Sequence, residues 1–119
     1  MGIQSFKDLQ VWNKSVELVA ECYKLTNGFP KVELFGLVAQ LRRSAVSIPA
    51  NVAEGHARFH RKEYLHHLSI AHGSIAELET HIHISNRLSY ISDEAKNNLL
   101  VRISEIGKML NGLMRSLRD

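Results

Sequence analysis

The chain has 119 residues, 45% of them apolar and 23% charged, with a formal net charge of +3. These values exclude disorder, collagen-like repetition and a disulfide scaffold, and they suit one domain over 1–119 with a core of its own. Seven Gly and two Pro argue against a loop-rich β-sandwich.

The first predicted helix covers 8–26. Its apolar residues run Trp12, Val16, Val19, Tyr23 in alternating steps of four and three, which keep them on one helical face. Cys22 is the single cysteine, has no partner for a disulfide or a zinc knuckle, and reads as a small helix residue. Asn27-Gly28-Phe29-Pro30 ends this helix, with Gly28 expected in the left-handed conformation and Pro30 unable to continue it. The second helix is predicted over 31–56 on Leu34, Val38, Leu41, Ala45, Ile48 and Val52. Pro49 falls inside that stripe and removes a backbone hydrogen bond. The pattern resumes in phase at Val52, so one helix kinked at Pro49 is expected.

A turn between Gly55 and His60 leads to the third helix, 61–89, with the seam Tyr64, Leu68, Ala71, Ile75, Leu78, Ile82. Ser92 reads as the N-cap of the fourth helix, 93–117, and Asp93 and Glu94 meet its positive end. Leu99, Ile103, Ile106, Leu110, Leu113 and Leu117 form the last seam. Short connections between long helices make neighbours antiparallel, so the fold class is all-α, an up-down-up-down four-helix bundle. The sequence shows no signal peptide and no apolar run of membrane-spanning length. A cytoplasmic protein with no membrane association is expected.

Beside its apolar seam the second helix carries a polar line, Gln40, Ser44, Ser47, Asn51, Glu54. The third helix has a looser counterpart in Glu63, His67, Ser74, Glu77 and His81. Such a line is a solvated face, a polar network that fixes register at a helix or subunit contact, or a ligand site, and the sequence leaves all three open. Lys and Arg are scattered except around the turn His56, Arg58, His60, Arg61, Lys62. That cluster points to salt-dependent attraction for a phosphate backbone, against the plainer reading of a solvated basic turn. Arg61 and Lys62 stand near a helix N-terminus, where cations are slightly unfavourable, and this favours a role beyond folding. Arg42 and Arg43 are the second cationic candidates. No RNA-recognition signature accompanies them, and Phe59 is the one aromatic residue in the cluster.

All seven histidines lie between His56 and His83. Glu63 and His66 have the Glu-x-x-His spacing of di-iron bundle sites. A second such motif is missing, and Tyr64 and Leu68 take the inward face, so no metal ligand set is expected. A metal or small-molecule site on the third helix, using Glu63, His66 and Glu77, is the alternative. Ser47 and Glu54 are two helical turns apart, roughly 10 Å along the axis, too far for a catalytic pair. No nucleophile with a base and no Gly-rich phosphate loop is found, so no catalytic residue and no cofactor is expected and the protein reads as non-enzymatic.

Ser47-Ile48-Pro49-Ala50-Asn51-Val52-Ala53-Glu54-Gly55 resembles the most distinctive stretch of the small bacterial four-helix-bundle proteins called 23S rRNA intervening-sequence proteins. Phe6-Lys7-Asp8-Leu9 with Val11-Trp12 resembles that family's opening, and Phe29-Pro30, Glu33, Leu37 and Gln40 its first turn and second helix. Arg43-Ser44, Lys62-Glu63, Ile70-Ala71, Gly73-Ser74 and Glu77-Leu78-Glu79-Thr80 also match. His60 departs, since members more often carry Ser or Thr as the N-cap there. The resemblance implies a left-handed bundle, a homopentamer and no established enzyme activity. It extends to an accessory protein of diversity-generating retroelements, a basic pentamer that works with a reverse transcriptase and RNA. The resulting expectation is an oligomeric adaptor or assembly protein. It would bind nucleic acid, or a nucleic-acid enzyme, through Arg58, Arg61 and Lys62, with Arg42 and Arg43 second.

Overall fold

Four antiparallel helices make up the computed structural model, which describes residues 5–118. They are α1 (Gln10–Thr26), α2 (Leu37–Ala57), α3 (Arg61–Arg87) and α4 (Asp93–Arg118), in a body of 46 × 25 × 20 Å. Each helix packs on its neighbours in the chain and α4 closes on α1, while the diagonal pairs do not meet. Cross-helix contacts set the directions: Ser47 meets Ser74, Asn51 meets His67, and Lys14 pairs with Glu105.

Apart from Leu34 and the partly buried Tyr64, the seams of α2 and α3 bury the residues their periodicity indicates. Leu41, Ala45, Ile48 and Val52 face Leu68, Ala71, Leu78 and Ile82, all fully buried. α2 runs unbroken through the buried Pro49. At its end α4 buries Met114, with Leu113 and Leu117 only partly covered.

The seam of α1 lies one residue earlier than expected. Val11, Ser15, Leu18, Cys22 and Thr26 are buried, whereas Val16 and Tyr23 are 40% and 41% exposed. Two hydroxyls explain the shift. Ser15 Oγ donates to the Val11 carbonyl at 2.6 Å and Thr26 Oγ1 to the Cys22 carbonyl at 2.8 Å. A hydroxyl satisfied on its own helix enters a core cheaply, and the bulkier residues are left on an outer line. Cys22 is a core residue whose thiol is pushed up to about 12 by burial, with Glu21 adding to the effect. We expect it to resist an aromatic disulfide reagent at neutral pH until the protein is unfolded. Stoichiometric labelling of the native protein within seconds would show that this seam is open.

Four helix ends differ from the sequence reading. Gly28 is not left-handed, and no described glycine has positive φ. The turn tightens instead, the Gly28 and Phe29 amides donating to the Leu25 and Thr26 carbonyls at 3.3 and 3.1 Å. Phe29 then buries against the Tyr90 ring, centroids 5.2 Å apart. The left-handed residue is Ser89 (φ 64°), in the α3–α4 turn, and α3 accordingly ends at Arg87.

α2 begins at Leu37, not near 31. Lys31–Glu33 form a separate 3-10 turn, and Leu34 is outside the core. Glu33 explains this start, because it accepts the Leu37 amide at 3.5 Å and the Tyr90 hydroxyl at 2.8 Å. α1 likewise starts at Gln10, after a 3-10 turn at Phe6–Asp8. α4 starts as its sequence indicates, with the Ala95 amide donating to Ser92 Oγ at 3.1 Å. No helix among the described residues is long and apolar enough to cross a membrane.

Candidate nucleic-acid interface

The polar line of α2 faces α3. Asn51 Nδ2 donates to the Ser47 carbonyl at 2.9 Å and to Ser47 Oγ at 3.1 Å, and Ser47 Oγ meets Ser74 Oγ at 2.7 Å. Asn51 Oδ1 lies 3.0 Å from His67 Nδ1, so that nitrogen carries the hydrogen and donates it. His67 Nε2 stands 3.7 Å from Glu54. Ser44 is buried on the Leu41 carbonyl. Of the three readings, the middle of the line is a hydrogen-bonded network at a helix contact. Only its ends, Gln40 and Glu54, are solvated. Higher on α3 the pairing stops: both ring nitrogens of His81 are buried and meet no partner among the described residues.

Below this network the helices join through Arg58, Phe59 and His60. The Arg58 amide donates to the Gly55 carbonyl at 3.1 Å, and Arg58 Nη2 reaches Glu54 Oε2 at 2.7 Å, with Nη1 3.9 Å from Glu63. The Arg58 guanidinium, and secondarily His67, hold the Glu54 carboxyl below its ordinary range. That pairing therefore supports the fold above the usual carboxylate range and is lost as pH falls through the lowered value. Arg58 thus braces the turn, half neutralised, while His60, Arg61 and Lys62 stand exposed around it. His60 supplies no side-chain cap to α3, which begins on the Tyr64 amide bonded to the His60 carbonyl at 3.1 Å.

The antiparallel order returns the start of α1 and the end of α4 to this same end of the bundle. Lys7, Arg58, Arg61, Lys62, Arg115 and Arg118 gather there against Asp8, Glu54 and Glu63, and both glutamates are already engaged by Arg58. Around the loops at the opposite end, Lys24, Lys31, Arg42, Arg87 and Lys96 stand against Glu21, Glu33, Asp93 and Glu94. The excess of cations is therefore larger at the end that bears the α2–α3 turn. Sequence reasoning missed Lys7, Arg115 and Arg118, although the up-down order alone would have placed them.

Arg42 does not belong to this interface. Its Nε donates to Thr26 Oγ1 at 2.9 Å, its Nη2 to Asn27 Oδ1 at 3.1 Å and the Tyr23 carbonyl at 3.4 Å, and its Cζ lies 4.4 Å from the Tyr23 ring centre. It pins the end of α1 to α2. Arg42→Lys is expected to cost about 1–2 kcal/mol in a thermal melt, because an ammonium cannot make this forked, stacked set. Arg43 is exposed, but it lies four helical turns above Arg58, roughly 22 Å away along the axis.

The alternative site on α3 has no ligand set. Glu63 lies by Arg58, His66 is exposed with its ring edge-on to His67, and Glu77 is three turns farther along, about 16 Å. No group of three or more His, Cys, Asp or Glu is placed to hold a metal ion among the described residues. A cleft of about 420 Å³ between α1 and α4 is lined by Glu21, Lys24, Glu94, Asn98 and Arg102, a mixed-charge wall.

One flank is apolar. One outward row of α2 reads Ala39, Arg43, Val46, Ala50 and Ala53. Tyr23, Phe35, Ala39 and Val46 line a shallow groove between α1 and α2 together with Arg42 and Arg43, with Val16 farther along α1. A solvated helix face usually carries more charge than this row, which holds four small apolar residues and one cation.

A protein-family profile described as 23S rRNA-intervening sequence protein matches residues 7–112. The chain is also similar to a protein of unknown function from the S23 ribosomal protein family of Bacteroides thetaiotaomicron, known from a crystal structure. The TM-score is 0.82 at 26% identity, over 88% of this chain and 95% of that one. No curated protein matches.

Proposed function

Since this chain belongs to the 23S rRNA-intervening sequence protein family, we propose that it is a self-associating bundle that binds nucleic acid at its basic end and serves as an adaptor or assembly protein. The reading rests on one observation, the gathering of Lys7, Arg61, Lys62, Arg115 and Arg118 at the end that bears the α2–α3 turn. The apolar flank of α1 and α2 supports self-association. Val16, Tyr23, Val46 and Ala50 give it an apolar strip, bordered by Arg42 and Arg43, on which a second copy could dock. A closed ring of five copies, the number the resemblance implies, repeats the basic end around one axis. Repetition raises the local potential beyond what one chain provides.

Two measurements test the proposal. Light scattering on Val46→Glu/Ala50→Glu should give single-chain mass where the unaltered protein gives a multiple, and an unaltered protein of single-chain mass rejects the ring. RNA binding should weaken steeply with salt, and Arg61→Glu/Lys62→Glu should lower its log–log salt slope by about 2 per chain engaged. Affinity that survives both salt and charge reversal rejects the nucleic-acid interface.

A further inference from the structure

Phe59 is 99% exposed at the middle of the α2–α3 turn. Single exposed apolar residues are ordinary, but this one stands where turns usually place Gly, Asn or Asp. The turn is also braced. Arg58 and His60 are both extended (φ −78°, ψ 150° and φ −111°, ψ 133°), and Arg58 is tied to Gly55, Glu54 and Glu63. A phenyl ring is thus held in water on a stiff hairpin, with the cations Arg61 and Lys62 beside it.

From this placement we propose that Phe59 is a stacking platform for an unpaired base, and that the basic end takes single-stranded RNA in preference to duplex. The inference rests on the nucleic-acid reading above and names its substrate class. A strand whose bases are free offers each ring a flat π-face while its phosphates meet the cations, and this combination binds single strands without reading sequence. A duplex offers its phosphates but no base face along its length, since its bases are already stacked. A membrane is the poorer fit. Interfacial insertion needs a continuous apolar face, and the next most exposed apolar residues among those described, Phe35 (92%) and Val32 (86%), lie at the opposite end of the bundle.

The experiment compares an oligouridine RNA with a blunt RNA duplex of the same length, at low salt, on the intact protein. Phe59→Ala leaves every core contact in place. It should weaken oligouridine binding about tenfold or more while duplex binding and the salt slope stay unchanged. Phe59→Trp should retain the affinity, and its added emission should be quenched by oligouridine. If Phe59→Ala binds oligouridine as the unaltered protein does while Arg61→Glu/Lys62→Glu loses it, stacking is overturned and the basic interface stands. If the unaltered protein binds neither RNA, the interface falls and stacking with it. Loss of binding to anionic phospholipid vesicles in Phe59→Ala, or a change in its solution mass, would assign the ring to a membrane or to the subunit contact and overturn the proposal.

Discussion

Gly55→Ala is expected to lower the melting temperature by about 8–12 °C, the equivalent of about 2–3 kcal/mol in a chain of this size. On intrinsic propensity alone the change should stabilise, since alanine in a helix is worth about 1 kcal/mol over glycine. The opposite sign follows from what surrounds Gly55. An added Cβ would stand 2.9 Å from His67 Cβ, 3.0 Å from Tyr64 Cδ1 and 3.2 Å from the Tyr64 carbonyl oxygen. Two of those atoms belong to, or sit directly on, the α3 backbone, so a rotamer change relieves nothing and α3 must move away from α2. Displacing the best-packed helix pair loosens Val52 and Leu68 as well. Gly73→Ala is the matched control. No heavy atom lies within 4 Å of a Cβ there, and a gain of up to about 1 kcal/mol is expected. Melts of the two variants side by side check the argument, and two stabilised proteins would refute the close approach.

Asn51→Leu should cost about 2–3 kcal/mol, more than the loss of one ordinary hydrogen bond. The amide serves Ser47 through its nitrogen and His67 through its oxygen. Leucine matches its size and leaves the half-buried His67 Nδ1–H without an acceptor, and a stranded donor costs more than the bond itself contributed. Ser47→Ala leaves the Asn51–His67 bond intact and should cost no more than about 1 kcal/mol. Equal effects from the two variants in chemical denaturation would show that the network does not run through Asn51.

Most of the bundle was legible because core apolar residues recur in steps of three and four along α2, α3 and the greater part of α4. α1 was misread by one position for two physical reasons. Its core places include Ser15 and Thr26, whose polarity is cancelled by bonds to their own helix, and a hydropathy stripe cannot register that. Its outer line Val16, Tyr23 is apolar on the flank it shares with α2, so the more visible stripe was not the core one.

The start of α2 was missed because Leu34 keeps the phase although Glu33 caps the helix at Leu37. For the site, Arg58, Arg61 and Lys62 were legible as a contiguous run, whereas Lys7, Arg115 and Arg118 join them only through topology. Arg42 was misassigned because its partners, Tyr23, Thr26 and Asn27, lie on another helix. The polar line of α2 became interpretable only when Ser74 and His67 were seen opposite it.

The apolar flank is shared between α1 and α2, and a surface split across two helices exists only while both are docked. A chain whose α1 has not yet settled on α2, or has peeled away from it, presents half a footprint. Partners that recognise the whole footprint therefore sort finished chains from unfinished ones. On the proposed self-association, assembly on this flank would double as proofreading of the fold.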